Sequence, residues 1–464
     1  MKILFWSSTE YSGFLAGLMR ELTDAGLDAK QCFQISEASY RSAKSGSARL
    51  LLRFRQYVAY PIQLVAVLAR RRVTGEVRNV KDGDVCVVST NTFYAPLLAT
   101  YLHPQVVHLV YDLFPEAMIH SGKWTEGTLK VRLVRWITRQ TLRRAKTNVF
   151  LGERLKDYVE SIHGAVPNAA IIAVGADQSL FGQSPGERLG KLEGGELRAD
   201  GGEGERRTLN FERRTLNEGE VEIAEGGDLR AEGGELRPDS RELRAEESFE
   251  GASHFDTLPP FYSEPQDQLS VLYCGNFGNM HDSATLFEYW RQVAEEASFR
   301  SQVSSLRSLN QTTWRFHCSG PKRAALELVR DALPDGLQQQ IQLGGGLDQA
   351  AWIAAMEDAD VALVTMLPGS ETVVMPSKTY SAMMAGQAIL AIAPEDSDLV
   401  DLIKAADCGW WVEPGDVDGL ANAIDAICAD PEGLLEKRER AYQYAHAHLG
   451  QDALAKDWER ALRE

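Results

Sequence analysis

The sequence predicts an α/β protein built from two Rossmann-like domains, each with a parallel sheet. On both sides of a polar middle stretch, short runs of β-branched and apolar residues alternate with amphipathic helical patterns. This alternation is typical of strands joined by crossover helices. A length of 464 residues is more than one ordinary core needs and fits two domains. Such sheets bind ligands at the carboxyl ends of their strands, so we expect two facing sheet edges to enclose one cleft.

The first domain is predicted at residues 1–184. It begins with a strand at 2–6 and an amphipathic helix at 12–25 that ends at Gly26. A basic helix is predicted at 130–146, and the remaining strands follow from β-branched runs. These strands lie at 85–89, 106–111 and 147–151.

Residues 185–262 interrupt this pattern with the related segments GGELRAD, GGDLRAE and GGELRPD. Gly and Glu dominate and aromatic residues are almost absent, so the stretch has too little apolar surface to offset its ordering entropy. We predict a disordered low-complexity insertion in an interdomain linker. A regulatory or partner-binding role remains the alternative.

The alternation resumes in a second domain predicted at 263–445, and residues 446–464 are predicted to form a C-terminal helix that packs back toward the first domain. The predicted strands lie at 269–274, 314–318, 340–343, 361–364 and 389–392. The predicted helices lie at 282–296, 349–358, 377–385, 420–429 and 453–462.

Charge and cysteine usage exclude several classes of protein. The net charge of -17 argues against bulk nucleic-acid binding, although residues 1–180 hold 23 basic and 15 acidic side chains. Six cysteines without C-x-x-C spacing predict neither a zinc site nor a disulfide framework. The opening MKILFW is too short for a signal peptide, and no run is long enough to span a membrane. These features predict a cytoplasmic protein.

The segment from Met375 to Ala393 carries the first chemical signal. Pro376, Ser377 and Lys378 precede a predicted helix that ends at Gly386. A helix N-terminus presents free N–H groups and a positive dipole, which suit a diphosphate, and the lysine adds a full charge. An ordinary capped helix with a solvent lysine is the alternative.

Four motifs together resemble a known family. They are YCGNFGNMHD at 273–282, CSGPKR at 318–323, the PSK helix, and CGWWVEPGDVDGLANAI at 408–424. In order and spacing they resemble GT-B glycosyltransferases of family 4, the glycosyl transferases group 1, in particular bacterial enzymes that make polysaccharides and lipid-linked oligosaccharides. The resemblance implies a nucleotide diphospho-sugar donor, retention of anomeric configuration, and neither a metal nor a further cofactor.

The same resemblance assigns roles on the donor side. Gly275 and Asn276 are expected to form a turn that lets the backbone approach the donor phosphates. Lys322, with Arg323, is expected to neutralise the leaving diphosphate, which makes Lys322 a catalytic candidate.

Further donor contacts are expected from both domains. Ser377 and Lys378 are expected to cap the phosphates, and Gly13 lies in a loop of small residues that in the family reaches toward the donor. His281 is a further donor candidate. For Asp282, capping of the following helix is as plausible as a ligand contact.

One position departs from the family pattern. Relatives usually carry a Glu near the position of Ser381, on the ribose or sugar side, and here Glu371 is the nearby acid that can substitute for it. We therefore include Ser381 and Glu371 among the donor candidates. The departure puts donor affinity and activity in doubt.

The acceptor is expected in the first domain. The segment VVHLVYDLFPEAMI at 106–119 places Asp112 and Glu116 after a strand, at the edge that faces the cleft. We predict that these two carboxylates orient the acceptor hydroxyl. Capping of the following turn is the alternative, and His108 is expected to be a packing residue.

Residues 49–72 and 130–146 predict a peripheral contact with an anionic membrane. The first segment has Arg at both ends and an apolar middle that Pro61 interrupts, and the second adds several more Arg residues. Amphipathic Rossmann helices with solvated Arg are the alternative. A membrane contact at the inner face of the cell membrane would favour a lipid-linked acceptor.

These features predict a metal-independent retaining transferase of the hexosyltransferase type. It is expected to move sugar from a UDP- or GDP-sugar to a glycan or lipid-linked acceptor in cell-surface polysaccharide biosynthesis. The alternatives are a catalytically weak donor-binding subunit, which the residue at position 381 suggests, and another GT-B enzyme such as a nucleotide-sugar epimerase.

Overall fold

A computed structural model of the chain describes residues 1–10, 14–36, 39, 46–74, 84–111, 113–189, 268–299, 312–373 and 375–463. Gly13, Asp112 and all but the first five residues of the predicted insertion at 185–262 lie outside the described residues.

The first half of the chain forms a sheet of six parallel strands in the order β2-β1-β3-β4-β5-β6. Every residue of the two central strands β3 and β4 is buried, which explains their β-branched, apolar sequences VCVVS and VVHLV. The strands are β1 (Lys2–Trp6), β2 (Asp28–Cys32), β3 (Val85–Ser89), β4 (Val106–Val110), β5 (Thr147–Phe150) and β6 (Ala169–Ile171).

Seven helices accompany this sheet among the described residues. A five-residue π-helical turn, Arg55–Ala59, joins the second and third of them into one helical run. Pro61 stands in the first turn of the third helix, where its missing N–H is tolerated, so it does not interrupt the run as the sequence suggested. The helices are α1 (Phe14–Asp24), α2 (Gly46–Phe54), α3 (Tyr60–Val73), α4 (Ala95–Leu102), α5 (Glu116–His120), α6 (Leu129–Arg144) and α7 (Glu153–His163).

The second half repeats the architecture with six parallel strands in the order β12-β11-β10-β7-β8-β9. Its strands are β7 (Leu269–Asn276), β8 (Thr312–Ser319), β9 (Ile341–Gly344), β10 (Val361–Thr365), β11 (Ala388–Ile392) and β12 (Gly409–Val412). Its helices are α8 (Ala284–Phe299), α9 (Arg323–Asp331), α10 (Asp335–Gln340), α11 (Gln349–Asp358), α12 (Lys378–Met384), α13 (Asp398–Ala406) and α14 (Val417–Ala429). Two closing helices follow as α15 (Pro431–His448) and α16 (Gln451–Arg463).

The chain crosses between the two halves twice. Residues 176–189 leave the first half and place Phe181, fully buried, in the core of the second, with its ring 5.6 Å from that of Trp352. At the other end, α16 returns to the first half and packs on α1. There the ring of Trp458 lies 5.7 Å from that of Phe5, and Lys146 donates to the carbonyl of Leu462.

The α/β class and the strands named from the sequence are confirmed, with ends that move by one or two residues. The sequence missed β2, β6 and β12. Their residues are only partly buried, and β2, whose sequence is DAKQC, has no apolar run to reveal it. All six cysteines are free thiols. Within the described parts of the chain, no helix combines the length and apolar character needed to cross a bilayer.

A carboxylate of the second half caps a helix of the first. Gly152 precedes α7 and has no side chain with which to cap it. Asp398 accepts the backbone N–H of Arg154 at 3.3 Å in its place, and the Arg154 guanidinium bonds Asp401 at 3.2 Å. A Cβ on Gly152 would lie 2.1 Å from the Asp398 carboxylate, so a larger residue there would displace this cap. This contact ties the carboxyl end of β5 to the start of α13.

Replacing Asp398 with alanine is expected to lower the free energy of unfolding by about 1 kcal/mol, the usual cost of losing a helix cap. Thermal or urea unfolding of the variant measures the change. The matched control is Asp396→Ala, because Asp396 also pairs with Arg154 but is 81% exposed, and such surface pairs contribute little. Equal stability of the two variants would contradict a capping role for Asp398.

Candidate functional site

The carboxyl edge of the second sheet gathers most of the donor candidates. Strand β7 ends at Gly275 and Asn276, and β8 runs beside it to Ser319. Strand β10 ends nearby at Thr365, to whose carbonyl His281 donates from Nδ1 over 2.9 Å. Two of the motifs and the end of β10, which lie far apart in sequence, therefore meet at one edge, where parallel sheets bind their ligands.

Two glycines shape the turn at this edge. Gly275 has a φ of 135°, and no atom of the described residues lies within 4 Å of the position its Cβ would take, so the backbone there is open on that side. Gly320 has a φ of 110°, and a Cβ on it would lie 2.7 Å from the carbonyl oxygen of Phe277. Glycine is thus needed at 275 for backbone conformation and at 320 also for lack of space.

Replacing Gly320 with alanine is expected to displace the turn at Gly275, because the new Cβ meets backbone rather than a flexible side chain. The strained φ adds roughly 1–3 kcal/mol. We expect about a tenfold loss of affinity for any ligand of this turn, measured by titration with UDP. Gly336→Ala is the control, since nothing lies within 4 Å of its Cβ position. Unchanged affinity of the Gly320 variant would show that UDP does not bind at this turn.

Lys378 lies under the turn and is held by Tyr273. Its Nζ donates to the Tyr273 hydroxyl at 2.6 Å and stands 3.9 Å from the centre of the same ring. The hydroxyl in turn donates to the carbonyl of Asn276 at 2.8 Å. A chain of two hydrogen bonds therefore connects the lysine of the PSK segment to the turn that ends β7.

The charge of Lys378 has no counter-ion in this setting. Within the described parts of the chain, no Asp or Glu forms an ion pair with it. Burial lowers the pKa of Lys378 to about 7, and ionised thiols at Cys274 and Cys318 would oppose this. Burial raises the pKa of both thiols, so they stay protonated at neutral pH and provide no negative charge. An anionic ligand would supply the missing charge.

His281 lies between two of the candidate lysines. Burial, with the charges of Lys378 and Lys322, lowers its pKa to about 4. The imidazole is therefore neutral at physiological pH, with Nδ1 donating to Thr365. Lys322 donates from Nζ to the carbonyl of His281, and burial lowers the pKa of Lys322 as well. Two partly buried ammonium groups thus flank one neutral ring.

Arg323 has partners within the protein. Its Nε donates to Glu327 at 2.8 Å, and NH1 donates to the carbonyls of Cys318, at 2.7 Å, and Gly344. The guanidinium joins the ends of β8 and β9. The diphosphate contacts proposed for Arg323 and Lys322 stay predictions.

Asp282 is a helix cap. Its carboxylate accepts the N–H of Ala284 at 2.8 Å and the hydroxyl of Thr285, and only 2% of the residue is exposed. This settles the two alternatives of the sequence in favour of the structural one. His108 is likewise a packing residue, buried and bonded to Asn148 at 3.0 Å, and burial lowers its pKa to about 4.

Ser377 does not cap the helix that follows it, and its expected contact with the donor phosphates stays a prediction. It precedes α12, but its hydroxyl makes no capping hydrogen bond and the residue is exposed, because its helical backbone turns the side chain outward. The predicted end of the helix is confirmed at Gly386, which has a φ of 74°. Ser381 lies half-buried on α12, next to the buried Tyr380 and Ala382.

Glu371 lies on a loop pinned to the GNFGNM segment. Leu367 donates its N–H to the carbonyl of Met280 at 2.9 Å, and Ser370 donates to the carbonyl of Leu367 at 2.6 Å. The Oε2 atom of Glu371 is buried and has no hydrogen-bond partner among the described residues. Buried carboxylate oxygens usually accept a hydrogen bond, and a sugar or ribose hydroxyl can donate one to this oxygen.

In the first half, Glu116 begins α5 and is 1% exposed. Its Oε1 accepts from Arg135 at 2.7 Å, while Oε2 is buried without a hydrogen-bond partner among the described residues. Burial raises the pKa of Glu116, and Arg135 opposes that rise. Arg135 also pairs with Glu126, so Glu116 is held in one orientation with one oxygen left over. The role of Asp112 stays a prediction, as does that of Gly13.

His120, at the end of α5, was not singled out in the sequence. Its Nδ1 lies 3.8 Å from the position of a Cβ on Gly369, in the loop that carries Glu371. Its Nε2 lies 3.3 Å from the Tyr158 hydroxyl. The helix of the acceptor candidate Glu116 therefore reaches the loop of the donor candidate Glu371. Tyr273 was also missed as a contact of Lys378, because both placements depend on tertiary packing.

Comparisons with known proteins agree with this geometry. Residues 269–430, from the start of β7 to just beyond α14, match the family described as glycosyl transferases group 1. The probable glycosyltransferase WbjE of Pseudomonas aeruginosa is 27% identical over 143 residues, 31% of this chain. The chain spans only 36% of the length of WbjE.

Solved structures match over the whole chain. The structure of HepE from Anabaena in complex with UDP has a TM-score of 0.57 at 14% identity and covers 100% of both chains. Sucrose-phosphate synthase from Thermosynechococcus elongatus has a TM-score of 0.57 at 14% identity and covers 100% of this chain and 98% of its own. At this identity the likeness shows the fold alone, two facing Rossmann-like domains of the GT-B type.

Proposed function

We propose that this chain, which has the GT-B fold and a group 1 glycosyl transferase domain at residues 269–430, is a retaining glycosyltransferase. It moves a sugar from a nucleotide diphospho-sugar to a glycan or lipid-linked acceptor. The observation that carries the proposal is the ammonium of Lys378, which has no counter-ion among the described residues and is joined through Tyr273 to the open turn at Gly275. A diphosphate over that turn supplies the missing negative charge.

The donor lies, in this proposal, along the carboxyl edge of the second sheet. Lys378 and Lys322 neutralise the diphosphate, and the backbone at Gly275 allows it to approach closely. Glu371 receives a ribose or sugar hydroxyl at its unpaired oxygen. UDP is the first nucleotide to test, because the similar structure of HepE was solved with it.

The two lysines suit the charge that develops during transfer. When the bond between the anomeric carbon and the donor phosphate breaks, the leaving diphosphate gains negative charge, and preorganised ammonium groups stabilise it. The acceptor oxygen bonds to the anomeric carbon on the face from which the diphosphate leaves, and its proton passes to the leaving phosphate oxygen. Glu116 and Asp112 orient that hydroxyl, and neither needs to be a strong base. No metal and no further cofactor takes part in the proposed reaction.

A donor-binding subunit with little activity of its own is the second candidate. The specific observation is Ser381, which stands where a sugar-side carboxylate is expected and brings no charge to the half-buried face of α12. Both candidates bind the nucleotide sugar, and only the first produces a glycoside.

The setting proposed for the reaction is cell-surface polysaccharide biosynthesis in the cytoplasm, at the inner face of the cell membrane. Residues 49–72 and 130–146 are the proposed contact with that surface. A basic first half is attracted to an anionic membrane, and a lipid-linked acceptor lies in that membrane.

A thermal-shift screen against UDP, GDP and their common sugars tests the proposal. A ligand at a hundred times its Kd adds about 2.7 kcal/mol of stability, which a melting curve resolves. We expect stabilisation by one nucleotide series and a further response to one sugar. Transfer from that donor to a membrane extract, followed by radiolabel, then separates the enzyme from the subunit. No stabilisation by any nucleotide sugar would overturn both candidates.

A further inference from the structure

The helical run formed by α2, the π-helical turn and α3 exposes a stripe of large apolar side chains. Leu50, Phe54, Val58 and Ile62 are spaced by four residues and are 69%, 55%, 40% and 63% exposed. Leu51 lies beside them and is 53% exposed. A spacing of four keeps side chains on one helix face, so this apolar stripe forms a ridge of roughly 18 Å. The opposite face carries the fully buried Leu64 and Leu68, which pack on the first sheet.

The charge along the same run has one sign. Arg49 and Arg53 are exposed and form a row immediately beside the apolar stripe. Residues 46–74 contain six arginines and no acidic residue. An exposed apolar surface bordered by arginine alone matches a partner that is both apolar and negatively charged.

A second exposed stripe lies on α6. Leu129, Leu133 and Trp136 are 80%, 58% and 52% exposed and share one helix face. Residues 129–144 are also without acidic side chains. Contacts of α3 with α4, and of α4 with α6, place the three helices in a row on the first sheet. Exposed tryptophan is typical of side chains that settle at a membrane interface.

The apolar stripe lies at the end of the sheet where an acceptor is expected. Gln56 in the π-helical turn donates to the carbonyl of Asn91 at 2.8 Å and accepts, through its own carbonyl, from Thr92 at 3.0 Å. Asn91 and Thr92 follow the carboxyl end of β3. The helical run that carries the stripe is therefore hydrogen-bonded to a loop at the carboxyl edge of the first sheet.

We propose that the apolar stripe and its arginines dock on an anionic lipid bilayer and insert Leu50, Phe54, Val58 and Ile62 below the headgroups. Docking in this way presents the carboxyl edge of the first sheet to the membrane surface. Resting on the proposed function, it follows that the acceptor is attached to a lipid whose reactive hydroxyl lies at headgroup level. The docking itself requires no sugar transfer.

Co-sedimentation of the full chain with phosphatidylcholine vesicles, with and without phosphatidylglycerol, tests this docking. We expect binding only to the vesicles that contain phosphatidylglycerol, and binding that weakens as salt increases. Phe54→Asp/Ile62→Asp should weaken it at least tenfold, because two inserted side chains lose their burial. Arg49→Gln/Arg53→Gln should weaken it about 25-fold, since each basic residue near an anionic surface contributes about fivefold.

The matched control is Leu328→Asp, which changes an equally exposed leucine (73%) on α9 of the other half and should leave vesicle binding unchanged. Wild-type binding by Phe54→Asp/Ile62→Asp would overturn the proposal. So would a wild-type dimer, without vesicle binding, that this variant converts to a monomer, because the stripe would then cover a second copy. Affinity for UDP and GDP is measured on the wild type and every variant: binding of neither nucleotide by any of these proteins would refute the proposed function, while the vesicle results judge the docking alone.

Discussion

Replacing Lys378 with methionine is expected to lower the affinity for UDP about a hundredfold and to raise the melting temperature of the free protein. Removing one partner of a buried charge pair costs about 2–5 kcal/mol of binding. In the free protein the same ammonium is buried without a counter-ion among the described residues, so an apolar side chain of similar length removes a desolvation cost. Titration calorimetry and thermal unfolding measure the two effects.

The gain in stability should depend on pH in a defined direction. The folded protein holds the pKa of Lys378 at about 7, below its ordinary value of 10.5. Between these two values the unfolded chain binds more protons, so the wild type loses stability as the pH falls through this window. The advantage of the methionine variant should therefore be small near pH 10, grow toward pH 7, and stay constant below it.

UDP binding should follow the same group. The diphosphate favours protonated Lys378, so wild-type affinity should fall by up to about tenfold per pH unit above pH 7, with proton uptake on binding. Lys378→Met controls for titration of the UDP phosphate itself, and Lys404→Met, on the exposed face of α13, controls for general loss of positive charge. If the methionine variant bound UDP as tightly as the wild type, the phosphates would not bind at Lys378.

Replacing Glu371 with glutamine is expected to weaken the binding of the UDP-sugar much more than the binding of UDP. The unpaired Oε2 is assigned a hydroxyl of the donor, and a hydrogen bond to a charged group contributes about 1.5–3 kcal/mol. We expect the affinity for the preferred UDP-sugar to fall about ten- to a hundredfold, while the affinity for UDP changes less than about twofold if the hydroxyl belongs to the sugar.

Titration of both ligands into the two proteins measures this difference. The control is Glu395→Gln, which alters a carboxylate of the same half that is 63% exposed and paired with Lys404. A parallel loss for UDP and UDP-sugar would move the contact to the ribose. No loss for either ligand would show that Glu371 is a loop residue without a donor contact.

The parts of the fold set by local pattern could be predicted from the sequence. The central strands are buried on both faces, so β3, β4, β10 and β11 are nearly continuous apolar runs that need no tertiary information. Strand β2 lies at an edge, and its DAKQC sequence has no such signal. The expectation that Pro61 interrupts its segment was wrong, because Pro61 lies in the first turn of a helix, and this position depends on the π-helical turn before it.

The residues of the candidate site could be predicted from the sequence, but the contacts between them could not. Motif spacing singled out Gly275, Lys322 and Lys378, and the fold brings them to one sheet edge. That Lys378 is held by Tyr273 depends on packing between β7 and α12, which are about a hundred residues apart in sequence. The sequence also could not show that the Ser377 hydroxyl leaves α12 uncapped, or that His120 approaches Gly369. Both depend on the position of the backbone in the folded protein.

A structure of the chain bound to UDP tests the central claim most directly. The account predicts the diphosphate over the turn at Gly275, with a phosphate oxygen within hydrogen-bond distance of Lys378 Nζ and Lys322 close to the other phosphate. A nucleotide bound elsewhere on the chain, or a diphosphate in this cleft that touches neither lysine, would contradict it.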